Sequence, residues 1–247
     1  MRVGVVLAIA CGCGRLGFDS TAMTAADASR DAPGGGDAPG SADASGDAPA
    51  GSTLVSFGER TGSTHMSVTI DTGLSATQQT FNYGAEDSVT SSPTSTGLVR
   101  FDLSALPTGT TVDGATLHLA VDTALASGTA QLYAVLESWT EGTAMGAAGV
   151  ANYTTRTAGT PWTTAGAAPP GSRATTLLAS FTPAAVNTDT VIPLSTAGIA
   201  QVQAWIDGPS TNFGFAVVVA SGGGAWAFIT RETTSANLRP QLELSVH

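Results

Sequence analysis

The stretch LVRFDLSALPTGTTVDGATLHLAV, residues 98–121, carries the pattern that decides the fold. Val99, Phe101 and Leu103 alternate with Arg100 and Asp102, and Leu117, Leu119 and Val121 alternate with His118 and Ala120. A period of two puts the apolar side chains on one face of a strand and the others on the opposite face, and the Pro, Thr and Gly residues between the two runs are turn signals. Working outward, QLYAVLESW (131–139), FGFAVVVAS (213–221), AWAFITRE (225–232) and PQLELSV (240–246) continue in the same vein. Short alternating runs separated by turn clusters predict an all-β, jelly-roll-like antiparallel β-sandwich. One segment differs. In LSTAGIAQVQAWIDG (194–208), Ile199, Val202 and Ile206 recur at three and four residues, Ser195 or Thr196 can cap the start, and Gly208 follows the end. These are the marks of one short helix, expected to lie across an edge of the sandwich.

Of the 247 residues only 11% are charged, against about 25% in an average soluble domain. The nine basic residues are all Arg, and nineteen acidic residues bring the net charge to -10. That balance excludes a sequence-independent grip on nucleic-acid phosphates. No run of apolar residues approaches the ~18 needed to span a bilayer as a helix.

Residues 1–11 read as a lipoprotein signal. Arg2 precedes an aliphatic run from Val3 to Ala10, and Ala8-Ile9-Ala10-Cys11 resembles a lipobox, with cleavage after Ala10 and acylation of Cys11; Cys13 is the alternative acceptor. Residues 12–52 form a linker of Ala, Gly, Asp, Pro and Ser with recurring Asp-Ala pairs, expected to be disordered because the tract from Thr21 to Ser52 has no Leu, Ile, Val or aromatic residue to bury. Residues 53–247 remain for the folded module. The expected place of the protein is therefore extracellular or at the outer-membrane surface, held to the membrane through the lipid anchor only.

Within the module, LVRFDLSALPTGTTVDGATLHLAV, YAVLESWTEGTA, GTPWTTAGA, IAQVQAWIDGPSTNFGFAV and TRETTSANLRPQLELSV follow one another in an order that resembles the DNRLRE domain, the group that includes family 96 of carbohydrate-binding modules. The resemblance implies a jelly-roll sandwich that binds polysaccharide, uronate polymers included. The expectation is a module without an accompanying enzyme domain.

A uronate polymer calls for Arg to meet its carboxylates and aromatic rings to stack on its sugar faces. Among the six module arginines, Arg100, Arg156 and Arg231 are the candidate ligand contacts. The alternative for two of them is structural, with Arg100 paired to Asp102 and Arg231 to Glu232. Trp162, in the loop TAGTPWTTAG, is the expected exposed platform, with Tyr83 and Trp226 as further stacking surfaces; Trp139 and Trp205 read as core.

None of the three histidines, His65, His118 and His247, has a metal-ligand spacing, and no nucleophile elbow occurs. The reading is a non-catalytic, monomeric module without cofactor that binds polysaccharide. Two other classes stay open: a structural or adhesive surface protein that binds other proteins, and a polysaccharide-degrading enzyme. Calcium stays open too, since Glu86, Asp87, Asp113 and Asp122 lie in or near turns.

Overall fold

The computed structural model describes residues 51–124, 128–220 and 223–247. Cys11, Cys13 and nearly all of the 12–52 linker lie outside the described residues. In chain order the strands are β1 (Thr53–Phe57), β2 (Thr69–Ser75), β3 (Phe81–Asn82), β4 (Ser88–Ser91), β5 (Ser95–Phe101), β6 (Val112–Thr123), β7 (Ala130–Ala134) and β8 (Ala147–Ala148). They continue with β9 (Thr155–Thr157), β10 (Thr160–Pro161), β11 (Ala179–Phe181), β12 (Asp189–Pro193), β13 (Phe215–Val219), β14 (Trp226–Ile229) and β15 (Gln241–Val246), with the helix α1 (Thr196–Asp207) between β12 and β13.

Two antiparallel sheets make the sandwich. One runs β1-β15-β6-β14-β4 and the other β11-β7-β13-β5-β2. In the first, β12 flanks β6 on the side away from β15, because His118 pairs with both Val191 and Gln241. The period-two residues face inward as the sequence predicts. Leu117, Leu119 and Val121 of β6 and Leu242 and Leu244 of β15 meet Val99 and Phe101 of β5, Leu132 of β7 and Phe215 and Val217 of β13 in one buried cluster. The all-β, jelly-roll-like sandwich, with a single α-helix among the described residues, is thus the observed architecture.

The helix begins at the predicted cap. Ser195 Oγ accepts from the Gly198 N–H at 3.3 Å, and Gly208 ends the helix with its N–H on the Ala204 carbonyl. Its buried stripe of Val202, Trp205 and Ile206 joins the inter-sheet core, where the Trp205 and Phe215 rings meet edge to face at 4.9 Å.

One feature lies beyond simple alternation. The run FAVVV of β13 is buried on both faces, because the outer face of its sheet is covered as well. The connection between β7 and β11, roughly residues 136–178, folds back over that face. It carries Trp139, Ala151, Trp162 and Ala167 onto Leu74, Leu98, Val135 and Ala216, forming a second core. Its polar anchor is Asn82, fully buried, whose Nδ2 donates to the Glu141 and Ala151 carbonyls at 2.7 Å each and whose Oδ1 accepts from the Gly84 and Ala144 N–H groups.

Candidate functional site

The covering segment decides the fate of most expected contacts. Trp162 is not an exposed platform: it is 4% exposed, packed in the second core, with its indole N–H donating to the Asn152 carbonyl at 2.9 Å. The loop that holds it is pressed against a sheet, so an apolar ring there gains more by burial than by facing water. Trp226 is buried between the sheets, edge-on to Phe181 at 5.7 Å, and offers no stacking surface. Trp139 and Trp205 are buried as expected.

The arginines divide by partner. Arg231 forks onto Glu141 through Nε and Nη2 at 2.9 and 2.8 Å and also pairs with Glu232 at 2.9 Å, so its expected pairing with Glu232 forms and its guanidinium is committed to the scaffold. Arg156 bonds Ser138 and lies 3.5 Å from Glu137. Arg60 pairs with Asp189, and Arg239 with Glu59. The expected pair of Arg100 with Asp102 does not form. Asp102 instead accepts from the Ser104 N–H within its own turn, while Arg100 lies over the Trp139 ring, 5.8 Å from its centroid. Burial is the main cause that holds the Arg100 guanidinium below its ordinary value. Among the described residues, Arg100 and Arg173 are the two module arginines without an ion pair.

Hollows among the described residues include the following three. The one beside Tyr83, about 350 Å³, also has Glu86 in its wall. Tyr83 is half-buried there, its hydroxyl bonded to Gln78, and burial with the Glu86 charge pushes its pKa above the ordinary tyrosine value. The second, about 420 Å³, brings Arg100 beside Asp102, Trp205 and Phe213. The third, about 510 Å³, lies on the outer face of the second sheet, and its lining includes Thr96, Gln131, Tyr133, Tyr153, Arg173 and Val218, with no Asp or Glu.

Strand register builds this third groove. Outward-facing Tyr133 of β7 stands opposite Ala216 of β13, and Gln131 opposite Val218. Ala216 is small, which leaves the Tyr133 ring open on that side. Residues 172–174 run back along the end of β7, with the Leu136 N–H on the Ser172 carbonyl and the Ala174 N–H on the Ala134 carbonyl. That places the Arg173 guanidinium over the Tyr133 ring at 4.9 Å, a cation–π arrangement. Arg173 Nε is buried without a partner, and burial lowers the guanidinium from its ordinary value. Tyr153 closes the far wall. Gly166, at φ 73°, passes so close that a Cβ there would lie 2.4 Å from the Tyr153 ring. The neighbouring Asn152 is 7% exposed and its Oδ1 takes the Thr154 and Thr155 N–H groups at 2.9 and 2.8 Å, so its side chain shapes a turn.

Tyr133 and Arg173 are absent from the contacts expected from sequence. The alternation in QLYAV does mark Tyr133 as outward-facing, whereas nothing local to Arg173 reveals which ring it reaches. The turn acids Glu86, Asp87, Asp113 and Asp122 do not gather into a ligand set; Asp113 bonds Ser52 and His247 instead. Among the described residues, the acids that do converge are Asp71, Glu141 and Glu232. No family model and no curated protein matches the chain.

Proposed function

We propose that the module is a non-catalytic binder of extracellular polysaccharide, that the polymer bears uronate groups, and that it lies in the groove of Arg173, Tyr133 and Tyr153. The observation that carries this reading is the Arg173 guanidinium over the Tyr133 ring, without an acidic partner, in a groove with no carboxylate in its wall. A sugar carboxylate presents two coplanar oxygens that match the edge of a guanidinium, and the C–H face of the ring stacks on tyrosine. One such charged hydrogen-bonded contact contributes about 1.5–3 kcal/mol, roughly 10- to 100-fold in affinity. The sequence resemblance to DNRLRE and family 96 carbohydrate-binding domains points to the same ligand class. An acyl chain on Cys11, or on Cys13, and the acidic 12–52 tether would hold this module outside the cell at the membrane surface.

Affinity electrophoresis of the protein through gels containing alginate, pectate, xylan or cellulose tests the reading. Retardation is expected in the two uronate gels, and Arg173→Ala should weaken it at least tenfold without moving the melting temperature. No retardation in any gel overturns the proposal in favour of an adhesive protein that binds other proteins. Release of reducing ends or unsaturated products from the same polymers would make it an enzyme instead.

A further inference from the structure

Four carboxylates and two guanidiniums meet where β2, the covering segment and the turn after β14 come together. Asp71 of β2 is fully buried; its N–H donates to Glu141 Oε1 at 2.8 Å, and its Oδ2 accepts from the Arg231 N–H at 3.0 Å. Glu141 is forked on Arg231, and its carbonyl is pinned by Asn82. Glu232 Oε1 lies 2.9 Å from Arg231 Nε, while Glu59 reaches Arg231 at 3.5 Å and Arg239 at 3.8 Å. One oxygen from each of Asp71, Glu141 and Glu232 lies within 4.8 Å of the others.

Ion pairing does not exhaust this cluster. Asp71 Oδ1 and Glu232 Oε2 are both buried and neither has a hydrogen-bond partner. The carboxylates outnumber the guanidiniums by two charges, and a buried carboxylate oxygen without a counter-charge is costly. A divalent cation supplies the missing two charges. The donors are all hard oxygens, which suit calcium better than zinc, and calcium sits about 2.3–2.6 Å from oxygen, so ligand oxygens up to roughly 5 Å apart can share one ion. We propose that Asp71, Glu141 and Glu232 hold one calcium ion, which ties β2, the covering segment and the turn after β14 together. None of the three lines the Arg173 groove, so the site stands independently of the polysaccharide reading.

The test is calorimetric titration of the EDTA-treated, desalted full chain with calcium chloride and with magnesium chloride, alongside thermal melts in each salt. The expected result is saturable binding of one calcium, a melting temperature that rises with calcium, and at least tenfold weaker binding in Asp71→Asn and Glu232→Gln. Asp207→Asn, whose carboxylate bonds Gly109 and Gln203 and no member of the cluster, should bind as the wild type does. No saturable calcium binding by the wild type overturns the proposal and leaves the surplus charge to a proton shared by Asp71 and Glu232. Undiminished binding in a folded Asp71→Asn or Glu232→Gln chain overturns it as well. If neither variant folds, crystals of the wild type grown with terbium decide, an anomalous peak among the three carboxylates supporting the site and none there refuting it.

Discussion

The guanidinium of Arg173 lies 4.9 Å from the centroid of the Tyr133 ring, although 40 positions of chain separate them and neither has an acid beside it in the groove. The ring is both the floor under the cation and the surface on which a sugar would stack. Replacing Tyr133 by Ala should therefore weaken uronate-polymer binding about tenfold or more, since it removes the stacking face and the support for the cation together. Tyr133→Phe keeps both and should bind within about threefold of wild type. Titration calorimetry on the two variants checks this.

Gly166 is where backbone conformation and groove shape meet. It sits at φ 73°, and any Cβ would strike the Tyr153 ring. Gly166→Ala should displace that ring and lower polymer affinity, at a stability cost of about 1–3 kcal/mol from the strained backbone alone. Binding that stays at the wild-type level in a folded Gly166→Ala chain would remove Tyr153 from the site.

For Trp162 the expectation reverses between sequence and structure. As a loop platform its loss would reduce binding and spare the fold. As a buried ring with a satisfied indole N–H, its replacement by Ala should cost about 3–5 kcal/mol. Urea unfolding measures that loss directly. The loop composition around Trp162 is a sound signal for a turn, yet it carries no information on what the turn is pressed against.

Acid should weaken the fold in part through Asp189. Burial works to raise its carboxyl, but the hydrogen bond from His118 Nδ1 at 2.8 Å and the charge of Arg60 outweigh that and hold it below the ordinary carboxylate value. The folded state thus takes up this proton less readily than the unfolded state. The stabilisation is fully present above the ordinary value of about 4 and is lost as pH falls below it through the folded value. Asp189→Asn should cost about 1–3 kcal/mol at neutral pH. Chemical unfolding across a pH series should show the gap to wild type closing below about pH 4.

Periodicity along the chain determined β5, β6, β7, β13, β14 and β15, the sandwich class and the helix with its Ser195 cap, because those depend on neighbours two to four residues away. Trp139 and Trp205 read as core for the same reason. Among the arginines, the pairing of Arg231 with its neighbour Glu232 was legible, but the distant partners lay beyond that reach. Arg231 finds Glu141 ninety residues earlier, while Asp102, two residues from Arg100, turns to its own loop. Only the folding of residues 136–178 over the outer face of a sheet decided that Trp162 is core, that Arg173 has no acidic partner, and that Asp71, Glu141 and Glu232 converge. Contacts made across tens of residues are set by how sheets and loops pack, and a linear pattern of residue types does not encode which distant side chains packing will bring together.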